Sequence, residues 1–328
     1  MNRSEIVFLY DITYANPNGD PLDENKPRID EETEINIVTD VRLKRTIRDY
    51  LRDYKNQEIF VKEIEYEPGK IQNAKLRAED YLLDKNGNKT SKSNISLEDM
   101  KKNMYRNIVK NCIDVRLFGG TIPIEKSRNE KSSITLTGPV QFRFGRSLHQ
   151  VEIKHIKGTG AFASGEGKQQ KTFREEYILP YSLISFYGVI NEKAAEKTSM
   201  TEDDSSLMIE GIWNGTKNLI TRSKFGQMPR LLIKVTYNDE NYFIGDLDKK
   251  IKIEHDLDDD KKLRDIKEME LNISELINAL KNDLNKIESI SLKSDPTAVF
   301  NIDENMVKGV ELVETLVKLN LPASKLDI

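Results

Sequence analysis

The chain has 328 residues, one cysteine (Cys112), and 51 Lys and Arg against 55 Asp and Glu, for a formal charge of −4. A lone cysteine excludes an intramolecular disulfide framework, and no apolar run approaches the ~20 residues that span a bilayer. Residues 1–5 lead into a strand rather than a secretory segment, so a cytoplasmic protein with no membrane partner is expected.

The charge is uneven. Residues 238–328 hold 13 Lys and Arg against 21 Asp and Glu, whereas residues 1–237 hold 38 against 34. Residues 211–237 carry Lys217, Arg222, Lys224, Arg230 and Lys234 with no acid, so the net sign does not exclude an RNA or DNA partner.

In chain order, Ile6-Val7-Phe8-Leu9-Tyr10-Asp11-Ile12-Thr13-Tyr14 is rich in β-formers and predicts a buried strand. Asn16-Pro17-Asn18-Gly19-Asp20-Pro21 must be a tight polar loop, because two prolines lack donors and Asn-Gly favours positive φ. A helix starts at Thr39-Asp40, an N-cap followed by a dipole-compatible acid; Leu43, Ile47, Tyr50, Leu51 and Tyr54 form its apolar stripe. Lys44, Arg45, Arg48 and Arg52 line the adjoining face, as a solvated surface or as phosphate contacts.

Residues 58–67, with Ile59-Phe60-Val61 and Ile64, predict a strand. Residues 68–133 follow as a polar insertion with a turn at 85–88 and a helical patch at 97–117. The second core strand is predicted at 134–144, and residues 176–191 give the third. Between them, residues 145–175 carry Gly158, Gly160, Gly165 and Gly167 among Lys154, Lys157, Lys168, Lys171 and Arg174, a pattern expected of a projecting hairpin. Thr201-Glu202-Asp203-Asp204 opens a helix through Ile220, and residues 230–237 form the last core strand. This strand-helix-strand-strand-helix-strand order predicts an α+β fold with a ferredoxin-like, RNA-recognition-type core. Residues 238–328 are expected to add helices at about 272–287 and 304–319.

Enzyme signals are weak. Phe162 stands where a phosphate loop requires glycine, and Gln169 where it requires Ser or Thr. His149, His155 and His255 form no legible metal site, so neither cofactor nor metal is expected. Turn chemistry and the helix start explain Asp20 and Asp40, leaving Asp30 as the catalytic candidate for metal-assisted RNA cleavage. Binding signals converge instead: Arg143 and Arg146 near a strand end, Lys168, Lys171 and Arg174 on the projection, and Arg222 and Lys224 before the last strand. His149 could contact a phosphate or base. Phe162 and Phe173 are wedge candidates against bases, or contacts to a neighbouring subunit.

Together these motifs resemble the backbone subunit of type I CRISPR Cascade effector complexes, in the RAMP superfamily, closest to subtype I-B. The resemblance rests on residues 16–21, the helix at 39–50, Asp114-Val115-Arg116-Leu117-Phe118-Gly119-Gly120, Thr137-Gly138-Pro139-Val140-Gln141-Phe142, Gly145-Arg146-Ser147-Leu148-His149 and Arg222-Ser223-Lys224-Phe225-Gly226-Gln227. It implies a hand: a palm (1–67, 134–144, 176–237), a helical fingers insertion (68–133), a hairpin thumb (145–175), and an acidic helical C-terminal addition (238–328). It also implies a non-catalytic antiviral-defence protein that polymerises along CRISPR guide RNA with other Cascade subunits and presents the guide to target DNA. A thumb would displace a base at regular intervals. The RNA-binding residues expected are Asn18, Arg42, Lys44, Arg45, Arg48, Arg143, Arg146, His149, Lys168, Lys171, Arg174, Arg222, Ser223, Lys224 and Gln227. No aromatic RNP1 sequence is present, so stacking on the sheet is not implied. The alternative is a metal-dependent RNase like the type III backbone subunits, using Asp30 or Asp20 on guide-paired target RNA.

Overall fold

A computed structural model describes residues 1–84, 86–163 and 171–328, leaving out the side chains of Asn94, 159–163 and 171–174. The chain forms two compact units. One comprises Met1–Arg3, Lys44–Gln141 and Val189–Ile212, the other Ser4–Leu43, Phe142–Gly188 and Trp213–Ile328.

The larger unit is built on a mostly antiparallel sheet. Its strands are β1 (Ser4–Ala15), β2 (Ile29–Asp30), β3 (Ile35–Val38), β4 (Gly145–Gln150), β5 (Lys154–Ala163), β6 (Lys171–Ile190), β7 (Met228–Tyr237), β8 (Ile287–Ser294) and β9 (Ala323–Lys325). Their order is β9-β8-β7-β1-β6-β4-β3-β2, with β5 and the short strand Val140–Phe142 each paired to β6 off this path. Ile6, Val7, Phe8 and Leu9 are all fully buried, so both faces of β1 are covered and its sequence is continuously apolar rather than alternating. Antiparallel register runs from Ser4↔Thr236 to Leu9↔Leu231, with an irregularity at Leu9/Tyr10. Buried Glu5 accepts from the hydroxyls of Tyr187 and Tyr237 and from the backbone N–H of Ile244 (3.0 Å) and Gly245 (2.9 Å), which satisfies a carboxylate that would otherwise be costly to bury.

Val140–Phe142, within the expected 134–144 segment, pairs with β6 off the main path, and β4, expected within the projection, is the strand beside β6 in the path. Gly145 permits this pairing because a Cβ there would lie 2.4 Å from the Phe186 ring. The C-terminal third also departs from the helical expectation. Its two α-helices, Ser274–Asn282 and Leu312–Lys318, fall within the expected 272–287 and 304–319 but are shorter, and the rest is largely strand: β8 pairs with β7, and Lys252–Glu254, Glu270–Asn272, Val299–Ile302 and Asn305–Lys308 form a four-stranded sheet. Ile290 and Leu292 alternate with polar neighbours at the strand period, and Asp303 and Glu304 both take positive φ in a two-residue hairpin turn.

The smaller unit is largely helical. It holds α1 (Asp40–Lys55) from Lys44 on, α2 (Leu97–Asn111), α3 (Ile113–Phe118), α4 (Glu192–Thr198) and α5 (Glu202–Lys217) as far as Ile212. Gly211 of α5 lets Ile47 of α1 approach to 3.3 Å of a built Cβ, and the Tyr50 hydroxyl donates to Glu210 (2.7 Å). Phe60, Tyr81, Met100, Met104, Ile108, Ile122 and Ile134 share one core. Of residues 58–67, expected as a strand, Glu65–Glu67 forms a short one with Lys70–Ile71 and Glu58 a single bridge to Cys112, while 59–64 form none: the Asp114 carboxylate takes the backbone N–H of Phe60 (2.7 Å) and Val61 (3.1 Å), replacing a ladder partner. Glu130–Thr137 pairs with Gly119–Ser127 as a hairpin, so the expected second core strand is divided: its first residues lie in this hairpin and Val140–Phe142 in the main sheet.

Candidate nucleic-acid interface

In the larger unit three segments remote in sequence meet. The backbone N–H of Asn16, after β1, donates to the Ser223 carbonyl, before β7, at 2.8 Å. Two residues on, Asn18 Oδ1 accepts from the Thr39 N–H (2.8 Å) and hydroxyl (2.9 Å), and the Thr39 hydroxyl accepts from the Arg42 N–H (3.4 Å). Asn18 thus ties the loop to the start of α1, and Thr39 caps the helix as its sequence position implies. Burial, and after it the charge of nearby Arg42, pulls the half-buried Lys224 ammonium below the usual lysine range. Gly226 has φ +81° and turns the loop, leaving Phe225 68% exposed between Lys224 and the glycine. Gln227 is buried with no hydrogen-bond partner at Nε2. Arg222 is exposed and pairs with Glu176 at 3.0 Å. Arg42, Arg222 and Lys224 therefore concentrate positive charge around one glycine turn.

Other expected residues take different places. In the smaller unit, the Arg48 guanidinium lies 3.0 Å from fully buried Asp114 and over the Phe118 ring at 5.0 Å. It is a structural cation rather than a free phosphate contact. Lys44 lies over the same ring at 5.7 Å, and Arg45 pairs with Asp49 at 2.8 Å on an exposed face.

In the larger unit Arg143 stacks over Tyr187 (4.4 Å) and pairs with Asp246, while Arg146, 58% exposed, sits 3.5 Å from Asp30. Both border a cleft of about 850 Å³ with the exposed ring of Phe144. His149 is corrected from a candidate contact to a core residue: its Nε2 accepts the Leu183 N–H (3.1 Å), and Nδ1 donates to the Gln150 carbonyl (2.8 Å). Lys168 lies outside the described residues. So do the side chains of Phe162, Lys171, Phe173 and Arg174, although the backbone register Gly158↔Arg174 and Thr159↔Phe173 is defined.

Neither carboxylate considered for cleavage stands idle. Asp20 accepts the Leu22 N–H (3.0 Å) and pairs with Arg28; the backbone bond, then Arg28, holds its carboxyl below the usual range. Asp30 accepts the N–H of Glu32 (3.2 Å) and Thr33 (3.4 Å), and the Thr33 hydrogen bond leads the causes that lower it. Among the described residues, no three His, Cys, Asp or Glu side chains are grouped to hold a metal ion. No helix among them is long and apolar enough to cross a membrane.

The sequence model of the family described as "CRISPR-associated protein Cas7" matches residues 2–274. A "CRISPR-associated protein Cas7" of Haloferax volcanii is 30% identical over 343 aligned residues, spanning 100% of this chain and 97% of that protein. The chain belongs to the Cas7 family. This Cas7-family chain also shares its fold with a solved chain described as "CRISPR RNA-guided surveillance complex, pre-nicking": TM-score 0.52 and 10% identity, covering 96% of this chain and 99% of the other. The family match ends within the Ser274–Asn282 helix, so β8 and β9 of this Cas7-family chain lie beyond it.

The sequence motifs held Asn16 and Tyr14 but gave them no role. Two signals were present: an asparagine before a proline, and a bulky aromatic residue at the polar end of an apolar strand.

Proposed function

We propose that the chain is a non-catalytic backbone subunit of a type I CRISPR Cascade complex. It binds guide RNA through phosphate contacts, associates with further copies and other Cascade subunits, and leaves guide bases free to pair with target DNA. The observation that carries this reading is the gathering of Arg42, Arg222 and Lys224 about the Asn16–Ser223 bond in a Cas7-family chain. The order β7-β1-β6-β4 supports an RNA-recognition-type palm, and the β5–β6 pairing supports a thumb within 145–175. Residues 68–133 serve as fingers, and 238–328 as the C-terminal addition. Lys44, Arg45, Arg143 and Arg146 are the further phosphate contacts of this reading. The turn and ion-pair tasks of Asp20 and Asp30 favour binding over cleavage.

The test is equilibrium binding of single-stranded RNA across a salt series. Each lost phosphate contact on a single strand should flatten the logarithmic salt slope by about 0.7, so Arg222→Ala/Lys224→Ala should flatten it by about 1.4. Unchanged affinity and slope would overturn the proposal.

A further inference from the structure

The loop before β7 holds one aromatic ring out from a fixed frame. Its first half is tied down where the Asn16 N–H donates to the Ser223 carbonyl (2.8 Å) and the Lys224 N–H to the Thr221 carbonyl (3.2 Å). Its second half ends on the buried side chain of Gln227 and enters β7 at Met228. Between the two anchors Gly226 takes φ +81°, and a Cβ built there would meet nothing within 4 Å, so the backbone face beside Phe225 is open. Phe225 is 68% exposed, and among the described residues its ring joins no aromatic pair and no cation–π contact.

A single exposed apolar residue is ordinary on a protein surface, so its surroundings decide what it is for. Arg222 is paired with Glu176 at 3.0 Å, but Lys224 has no ion pair among the described residues. The Lys224 ammonium donates to the Ser223 hydroxyl (3.2 Å), and the charge that acts on it is that of a second cation, Arg42. Two cations held together without a shared acid attract an anion. The centre of a protein interface gathers apolar side chains and is depleted in lysine, whereas residues 222–227 contain no apolar side chain except Phe225. A nucleotide strand offers a phosphate and a base face side by side, which matches an ammonium next to an anchored ring.

We propose that Phe225 stacks on the face of one guide base while Lys224 holds an adjacent phosphate. This rests on the RNA-binding reading above and adds to it a base contact that the cationic residues do not make. Stacking engages the face that every base has and leaves the pairing edge free, so it suits a guide of any sequence.

The experiment measures binding of the full chain to a single-stranded uridine oligonucleotide and to an abasic strand with the same number of phosphates, each over a salt series. Phe225→Ala should weaken uridine binding at least about fivefold at unchanged salt slope, since stacking releases no counterions, and should bind the abasic strand as the native chain does. Phe225→Trp should keep the native preference for the uridine strand. A Phe225→Ala chain that matches the native chain on both strands, or loses equally on both, would overturn the stacking contact; if Arg222→Ala/Lys224→Ala still flattens the slope, the RNA-binding reading stands. An unmoved slope in that double variant would sink the reading itself. If Phe225→Ala instead changed self-association of the RNA-free chain while the uridine-to-abasic ratio stayed native, the ring would be covered by a protein segment, and the proposal would fail.

Discussion

Arg48 reaches the carboxylate of Asp114 at 3.0 Å, and the same carboxylate holds the backbone N–H groups of Phe60 and Val61. One basic residue of α1 is therefore spent on internal structure while Arg45, four-fifths of a turn away, pairs with Asp49 on an exposed face. Removing Arg48 strands a fully buried charge, which typically costs about 3–5 kcal/mol. Arg48→Ala should thus lower unfolding stability by that order in denaturant titrations, whereas Arg45→Ala should stay within about 1 kcal/mol. Equal, small losses for both would show that Asp114 finds other compensation.

Gly145 and Phe186 supply a second prediction. A Cβ at residue 145 would lie 2.4 to 2.8 Å from three ring atoms of Phe186, which is 1% exposed. Gly145→Ala should destabilise the chain by about 1–3 kcal/mol through overpacking. The measurement is the thermal or urea midpoint; an unchanged midpoint would mean that β4 can shift along β6 at little cost.

These two sites mark where sequence reasoning reaches and where it stops. β1, α1, α5 and β7 are legible because a continuous apolar run, helical periodicity and a capping residue are local properties of the chain. β4 is not, since Gly145 reads as a loop until Phe186, forty-one residues later, explains why only glycine fits. The Ser133–Phe144 alternation is a genuine strand signal, but its two partners, Gly119–Ser127 for residues up to Thr137 and β6 for Val140–Phe142, cannot be read from alternation alone. At the interface, a cluster of Lys and Arg is visible in the sequence, but the distant acid that consumes Arg48 is not. His149 likewise looked available until its two ring nitrogens found Leu183 and Gln150.

The His149 ring yields a pH prediction. Burial pushes its pKa below the ordinary histidine value, opposed by the Gln150 carbonyl and by Asp260, while His255 adds to the depression. Nε2 already accepts the Leu183 N–H, so a proton there would set donor against donor. Lowered in the fold, the group binds fewer protons when native than when unfolded. Its stabilisation is full above the unfolded pKa of about 6.5 and is lost as pH falls toward the folded value, at up to about 1.4 kcal/mol per pH unit. Urea midpoints of the native chain should therefore fall between pH 7 and pH 5 more steeply than those of His149→Gln. Parallel profiles would refute this role for His149.

Asp30 separates binding from cleavage. Its Oδ1 takes the N–H groups of Glu32 and Thr33, and Oδ2 faces Arg146 at 3.5 Å, so the side chain shapes the turn after β2 and orients a cation beside the 850 Å³ cleft. Asparagine keeps an oxygen for the turn but loses the charge that holds Arg146. Asp30→Asn should therefore change stability by no more than about 1 kcal/mol, since the ion pair is partly exposed. It should also release Arg146 toward phosphate and raise RNA affinity at low salt, with a steeper salt slope. Complementary RNA incubated with assembled protein and Mg²⁺ should remain intact in both forms. Regularly spaced fragments formed by the native chain and abolished by Asp30→Asn would establish a nuclease and displace the non-catalytic reading.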